Sequence, residues 1–155
     1  MKIAVISDTH NFFDPRIPSL FEGASHILHA GDIGLPRILM DLEQIAPVTA
    51  VSGNTDDAAF NYPETSIVEL AGLKFLIHHI VALHNLAEPV QRRIVRERPD
   101  VVVFGHTHKP FSERLGGVLY FNPGYAGKLR FGMERTVALL RCESNDVRWD
   151  YFPLS

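Results

Sequence analysis

The sequence predicts an α/β fold in which two β-sheets pack face to face with helices outside. Three observations lead there. The first half alternates strand, helix and strand with short joints, the pattern of a parallel crossover unit. The second half is a string of hairpins, which a single doubly wound sheet does not need. Three strands end in glycine followed by a metal-capable residue: AGD at 30–32, SGN at 52–54 and FGH at 104–106.

The elements follow in order. KIAVIS (2–7) is a short apolar run, expected as a buried strand. DTHNFFDPRIP is a loop rich in turn formers, and a short helix is expected within 15–23, ended by Gly23. SHILHA (25–30) is the second strand. LPRILMDLEQI (35–45) is a helix, with Pro36 in its first turn and Ile38, Leu39, Leu42 and Ile45 on one face. PVTAVS (47–52) is the third strand. TSIVEL (65–70) and KFLIHH (74–79) form a hairpin around Ala71-Gly72-Leu73. A helix is expected over 86–98 and a strand over 101–104. FSERL and VLYF surround Gly116-Gly117, and RTVALLRCE and DVRWDYF surround Ser144-Asn145, giving two more hairpins. Trp149 and Tyr151 share one face of the last strand and are expected in the core.

At 155 residues the chain is long enough for one domain with its own core, and no linker or low-complexity tract divides it. A single domain over 1–155 is expected. The net charge of −3 lacks the basic excess that many phosphate contacts require, so stable nucleic-acid binding is not expected. A small phosphate ester is compatible with it. Cys142 is the single cysteine, so no internal disulfide forms. The apolar runs fall short of a membrane span, and the N-terminal run is shorter than a signal peptide's apolar region. A cytoplasmic protein without membrane attachment is expected; exposed apolar residues would permit a homodimer.

Eight histidines are many for this length, and they cluster near the strand ends. Parallel strands bring their carboxyl ends to one edge, so Asp32, Asn54 and His106 should converge. Asp8 and His10 join them from the first strand, His78 from the hairpin, and His108 from the turn after His106. Seven such residues exceed the four that hold a tetrahedral zinc ion. Nitrogen and oxygen donors without thiolate suit manganese, iron, cobalt, nickel or zinc, and two ions would use the whole set. With only two carboxylates such a centre keeps positive charge that attracts a phosphoryl group, and a hydroxide bridging the ions would serve as nucleophile.

In this order, D-x-H, G-D, G-N, H and G-H-x-H resemble the metallophosphoesterase (calcineurin-like) superfamily. SDTH, HAGD, GNTD and GHTH resemble its compact prokaryotic phosphodiesterase branch, as does Asn122-Pro123-Gly124. The resemblance implies a four-layer αββα sandwich of two mixed sheets flanked by helices. It implies that Asp8, His10 and His108 hold one ion, that Asn54, His78 and His106 hold the other, and that Asp32 bridges. The expected activity is hydrolysis of phosphodiesters, nucleotide-like ones included, by a dinuclear centre. Manganese is the expected metal, with iron, nickel, cobalt or zinc as alternatives. His10, Asp32 and Asn54 are the expected catalytic residues. Phosphomonoester hydrolysis, a mononuclear hydrolase and a non-catalytic metal-binding scaffold of the same fold are the rival readings.

The chain departs from that branch at His78-His79-Ile80, where the branch carries H-G-H. Matching the first histidine to His78 puts His79 in the place of glycine, where positive φ is expected. The alternative makes His79 the ligand and turns His78 away. Ile80 replaces a polar group. No histidine follows Gly53-Asn54 to protonate a leaving group, and His29, His79 and His84 are the nearest substitutes in sequence. His29 is otherwise expected behind the ligands or at a strand end, His84 in a solvated loop, and His26 at the surface or in packing. Arg92, Arg93, Arg96 and Arg98, interspersed with Glu88 and Glu97, are expected on a solvated helix face. Phe12, Phe13, Phe60 and Tyr62 either wall a pocket or pack under loops, and Tyr125 stands where it would narrow the pocket.

Overall fold

All ten expected strands are present in the computed structural model, which describes residues 1–154. The first half runs β1 (Lys2–Ile6), α1 (Ile17–Leu20), β2 (His26–His29), α2 (Arg37–Glu43) and β3 (Val48–Ala50). A 3-10 turn at Ala58–Phe60 leads into β4 (Thr65–Leu70) and β5 (Leu73–His78). The chain continues with α3 (Glu88–Glu97), β6 (Val101–Val103), β7 (Phe111–Leu115), β8 (Val118–Asn122), β9 (Thr136–Glu143) and β10 (Asp146–Pro153). α2 and α3 stop one or two residues short of the expected stretch at each end, and neither has a side-chain cap at its N-terminus.

The three hairpins have two-residue loops, Ala71-Gly72, Gly116-Gly117 and Ser144-Asn145. Both residues of each loop lie at positive φ, as the twist of the flanking strands requires. The strands assemble into two mixed five-stranded sheets, β10-β9-β1-β2-β3 and β4-β5-β6-β8-β7. In the first, β1, β2 and β3 are parallel; in the second, β5, β6 and β8 are parallel.

Alternation along the strands decides the layers. Ile3, Val5, Leu28, Ala138 and Leu140 of the first sheet meet Phe75, Ile77, Val101, Val103 and Phe121 of the second in one buried cluster. Trp149 and Tyr151 pack against that cluster, and Tyr151 stacks on Phe121 at 5.3 Å. The opposite face of the first sheet (Ala4, Ile6, Ile27, Leu139) is covered by Ile17 of α1 and Ile38 and Leu42 of α2. The opposite face of the second (Leu76, Val102, Tyr120) is covered by Val90 and Ile94 of α3. The result is a four-layer αββα sandwich. The arginines of α3 are laced to its glutamates, Arg92 to Glu88 and Arg93 and Arg96 to Glu97, as on a solvated face. Among the described residues no helix is long and apolar enough to cross a membrane. The carboxyl ends of β1, β2, β3, β5 and β6 open on one edge of the sandwich.

Candidate metal centre

The loops leaving those strand ends carry the candidate ligands. Asp8 is fully buried just beyond β1, and its Oδ2 accepts hydrogen bonds from Ser7 Oγ (2.7 Å) and the His106 N–H (3.1 Å). Its Oδ1 is thereby left to face the cluster, 3.3 Å from His108 Nε2 and 3.7 Å from His10 Nε2. Asp32 is held in the same way: Oδ1 accepts the Thr55 N–H at 2.9 Å, and Oδ2 lies 3.6 Å from His10 Nε2 and 3.2 Å from His79 Nε2. Asn54 Oδ1 lies 3.1 Å from both His79 Nε2 and His106 Nδ1. Six of the seven residues singled out from the sequence therefore meet: Asp8, His10, Asp32, Asn54, His106 and His108. Five of them, all but Asn54, sit at positive φ, between 44° and 72°. Non-glycine residues reach that region only where the surroundings hold them there, and such strain gathers at functional sites.

His78 does not meet them. It is still inside β5, paired with Thr65, and its Nδ1 lies 2.8 Å from Thr65 Oγ1. Its parity is that of Leu76, which faces α3, whereas His79 shares the parity of Phe75 and Ile77, which face the other sheet. The buried ring of His79 thus points between the sheets at Asp8 and Asp32. It fits there because residue 31 is glycine: a Cβ at that position would stand 2.7 Å from His79 Nδ1. His79 is not among the residues at positive φ, so it does not reproduce a glycine's conformation.

Several supporting residues lie within the quoted motifs, but their role in holding the ligand loops was not expected from the sequence. The Asp56 carboxylate accepts the N–H groups of Ile33 (3.1 Å), Gly34 (3.0 Å) and Gly53 (2.8 Å), tying the Asp32 loop to the Asn54 loop. Asn122 donates from Nδ2 to Gly105 O and Thr107 Oγ1, both at 3.1 Å, and so fastens the loop that carries His106 and His108. Gly105 permits that loop to lie against β1, since a Cβ there would overlap Ser7 Oγ and stand 2.6 Å from Asp8 Oδ2. Tyr125 does not narrow a pocket. It is fully buried and backs the His108 and His10 rings at 4.8 and 6.1 Å. Phe13 and Tyr62 pack on the core beneath α1 and α2, with the Tyr62 hydroxyl on Gly34 O at 3.0 Å. Phe12 lies beside the Arg135 guanidinium.

His29 is sealed behind the cluster. The Gly31 N–H donates to its Nδ1 (3.1 Å), so in the neutral ring the proton sits on Nε2 and is donated to Thr9 Oγ1 at 3.0 Å. The Thr9 hydroxyl in turn donates a hydrogen bond to Ile33 O at 2.8 Å. Burial pushes the His29 pKa down to about 4, so the ring is neutral at pH 7. His26 is occupied by Thr49 at 2.7 Å, and His84 is exposed in the loop before α3.

The donor set fits cations. The peptide carbonyl of Ala30 accepts from His79 Nδ1 at 2.7 Å, which leaves Nε2 of the neutral ring as a lone pair. That lone pair faces only acceptor oxygens, from Asp32, Asn54 and Asp8. Asp8 Oδ1 and His10 Nε2 are buried without any hydrogen-bond partner among the described residues. Converging acceptors of this kind repel one another unless a proton or a metal ion lies between them. Two overlapping groups could hold a metal: Asp8, His10 and His108, and Asp8, Asp32 and His79. Burial opposes ionisation of Asp8, but the flanking His10 and His108 rings and the Ser7 hydroxyl outweigh it and hold the carboxyl well below its ordinary value. Asp32 is likewise lowered against its burial, by His79 and Thr55. His79 is raised despite burial by Asp32 and Asp8, as expected of a site built to carry positive charge.

Buried carboxylates and imidazoles gathered at the carboxyl edge of a mixed two-sheet sandwich make a candidate metal centre. Residues 1–145 match the calcineurin-like phosphoesterase superfamily domain, and the chain belongs to that superfamily. A probable metallophosphoesterase of Methanothermobacter thermautotrophicus is 34% identical, over 80% of this chain and 76% of its own length. The phosphodiesterase YfcE of Escherichia coli is 29% identical, over 95% of this chain and 89% of its own. The solved structure of an archaeal phosphodiesterase superposes with a TM-score of 0.76 and 26% identity, covering 98% of this chain and all of the other.

Proposed function

We propose that this chain is a dinuclear metal-dependent phosphodiesterase acting as one domain. One observation carries the proposal: the Asp8 Oδ1 and Asp32 Oδ2 atoms lie between two sets of imidazoles, with no donor among the neighbours of His79 Nε2. In this reading Asp8, His10 and His108 hold one ion, Asn54, His79 and His106 hold the other, and Asp32 is shared. Only His79 differs from the set expected from the sequence. When bound, the two ions supply Lewis acidity toward phosphoryl oxygens and acidify a water nucleophile.

The chain's own residues do the rest. Ser7, Thr55 and the His106 N–H occupy one oxygen of each carboxylate, fixing the other toward the centre. Asn54 and His106 are exposed at the mouth of the cluster and His10 and His108 are partly so, and these are the side chains an arriving phosphoryl group meets, with His10 and Asn54 steadying its charge in this reading. His29 and His79 are committed to backbone and ligand contacts, so neither protonates a leaving group. Without that help, typically worth about 10²–10⁴-fold, diesters with good leaving groups are the favoured substrates. The test is hydrolysis of bis-p-nitrophenyl phosphate with Mn²⁺. Asp32→Asn and His106→Ala should each abolish it, with two metal equivalents bound per wild-type chain. Undiminished turnover in either pure variant refutes the mechanism.

A further inference from the structure

Two clefts of unequal size reach the centre from its two ends. The larger, of about 530 Å³, touches the cluster at His108 and is walled by Lys109, Pro110, Phe131, Met133 and Glu134. The smaller, of about 230 Å³, touches it at Asn54 and His79 and is lined by Glu64, His78 and Ile80. The two also differ in chemistry. Phe131, Met133 and Pro110 give the larger cleft an apolar wall with a charge of each sign at its rim. The smaller has a carboxylate, two imidazoles, a hydroxyl and an amide for one exposed isoleucine.

Phe131 is the unusual residue. Its side chain is entirely solvent-exposed, and its neighbour Leu129 is 72% exposed. Yet the root of their loop is anchored beside the metal ligands. Arg135 Nε donates to Gly127 O at 2.7 Å, and the Tyr125 hydroxyl donates to Lys128 O at 2.8 Å. Tyr125 is the ring that backs His108. An aromatic ring with no partner among the described residues, held at the rim of a cleft that ends on a candidate metal ligand, is placed to cover a flat group on the substrate.

Building on the phosphodiesterase reading, we infer that the substrate is an unsymmetrical diester. Its bulky aromatic arm, of aryl or nucleoside type, lies in the cleft between Pro110 and Phe131. Its short, hydrogen-bonding arm lies in the cleft of Glu64 and His78. A phosphodiester has two arms and the centre two approaches, and each arm has a cleft of matching size.

Phosphinates test this without turnover, because both phosphorus–carbon bonds resist hydrolysis. Dimethyl-, methylphenyl- and diphenylphosphinate are titrated by calorimetry into the manganese-loaded protein. The first phenyl group should tighten binding about tenfold, the value of covering one face of a ring, and the second less than threefold. Phe131→Ala should remove the tenfold gain and Phe131→Trp should keep it; a ring this exposed is replaceable without disturbing the fold. With p-nitrophenyl diesters the same Ala variant should raise KM and spare kcat. Equal affinity for the three phosphinates, or a gain that survives Phe131→Ala, overturns the inference. So does a change of sedimentation in Phe131→Ala with unchanged affinity ratios, which assigns the ring to self-association. In those cases retained hydrolysis of bis-p-nitrophenyl phosphate leaves the phosphodiesterase reading standing; loss of both binding and hydrolysis in the wild type ends both.

Discussion

Which histidine of the adjacent pair completes the centre is measurable without any substrate. A ligand that binds only the folded state at 100 times its dissociation constant adds about 2.7 kcal/mol of stability. For a chain of this length that raises the melting midpoint by about 5–10 °C. Removing a group that merely orients a ligand typically weakens metal binding about 10–100-fold, so loss of the His79 ring itself should reach at least the upper figure. At the same metal concentration the stabilisation then shrinks to about 0.4 kcal/mol, or roughly 1 °C. His78→Ala loses one contact with Thr65 at the end of β5 and nothing at the cluster, so its metal-induced rise should match the wild type. The assay is differential scanning calorimetry with and without Mn²⁺, comparing only the rise within each variant. This cancels the void and the lost Ala30 bond that lower metal-free His79→Ala. A full rise in His79→Ala, or a lost one in His78→Ala, refutes the parity argument that turns His79 inward.

Two further outcomes follow from the packing around the ligands. Gly→Ala at an unstrained position ordinarily stabilises by about 0.4–1 kcal/mol, but Gly105→Ala drives a methyl into Ser7 and Asp8 and should cost about 1–3 kcal/mol instead. Adding Ser7→Ala, which removes the nearer oxygen, should recover part of that loss in urea unfolding; strict additivity would show that the two sites do not touch. His29 sets a pH dependence. Its folded pKa of about 4 lies below the ordinary 6.5, so its contribution is complete above pH 6.5 and is lost as pH falls toward 4. The loss approaches about 1.4 kcal/mol per pH unit, roughly 3 kcal/mol in all. His29→Asn, whose side-chain oxygen can replace Nδ1 as acceptor of the Gly31 N–H, should flatten the metal-free unfolding profile across that window. Parallel profiles for the two proteins would mean that His29 titrates alike in the folded and unfolded chain and is not held neutral by burial.

Most of the site was legible because its residues sit just after apolar runs, and an apolar run ending in glycine marks both a strand end and its direction. That rule found Asp32, Asn54 and His106 from three separate strands, and Asp8 followed the apolar run of the first strand without a glycine. His10 and His108 followed at spacing two. The rule does not separate His78 from His79, because both end one apolar run, and the family's H-G-H aligns with the first of them against the alternation within the run. Phe75, Ile77 and His79 share a parity, so the signal was present, but which parity faces the other sheet is settled only when both sheets pack. Asp56 and Asn122 were written in GNTD and NPG, yet their partners are backbone groups of distant loops that sequence does not bring together.

The sequence by itself determined the strands, the three hairpins, the order of the ligand-bearing loops and the chemical class of their donors, because these depend on local pattern and on residue type. The tertiary structure decided which side of each strand faces the other sheet, and with it that His79 rather than His78 points at Asp8 and Asp32. It also decided that Tyr125 lies buried behind the ligands while Phe131 stands free at the cleft. Both aromatic residues lie in one glycine-rich loop, and nothing local tells them apart. Their difference arises from what β1 and the GHTH loop place beneath the first and leave open beside the second.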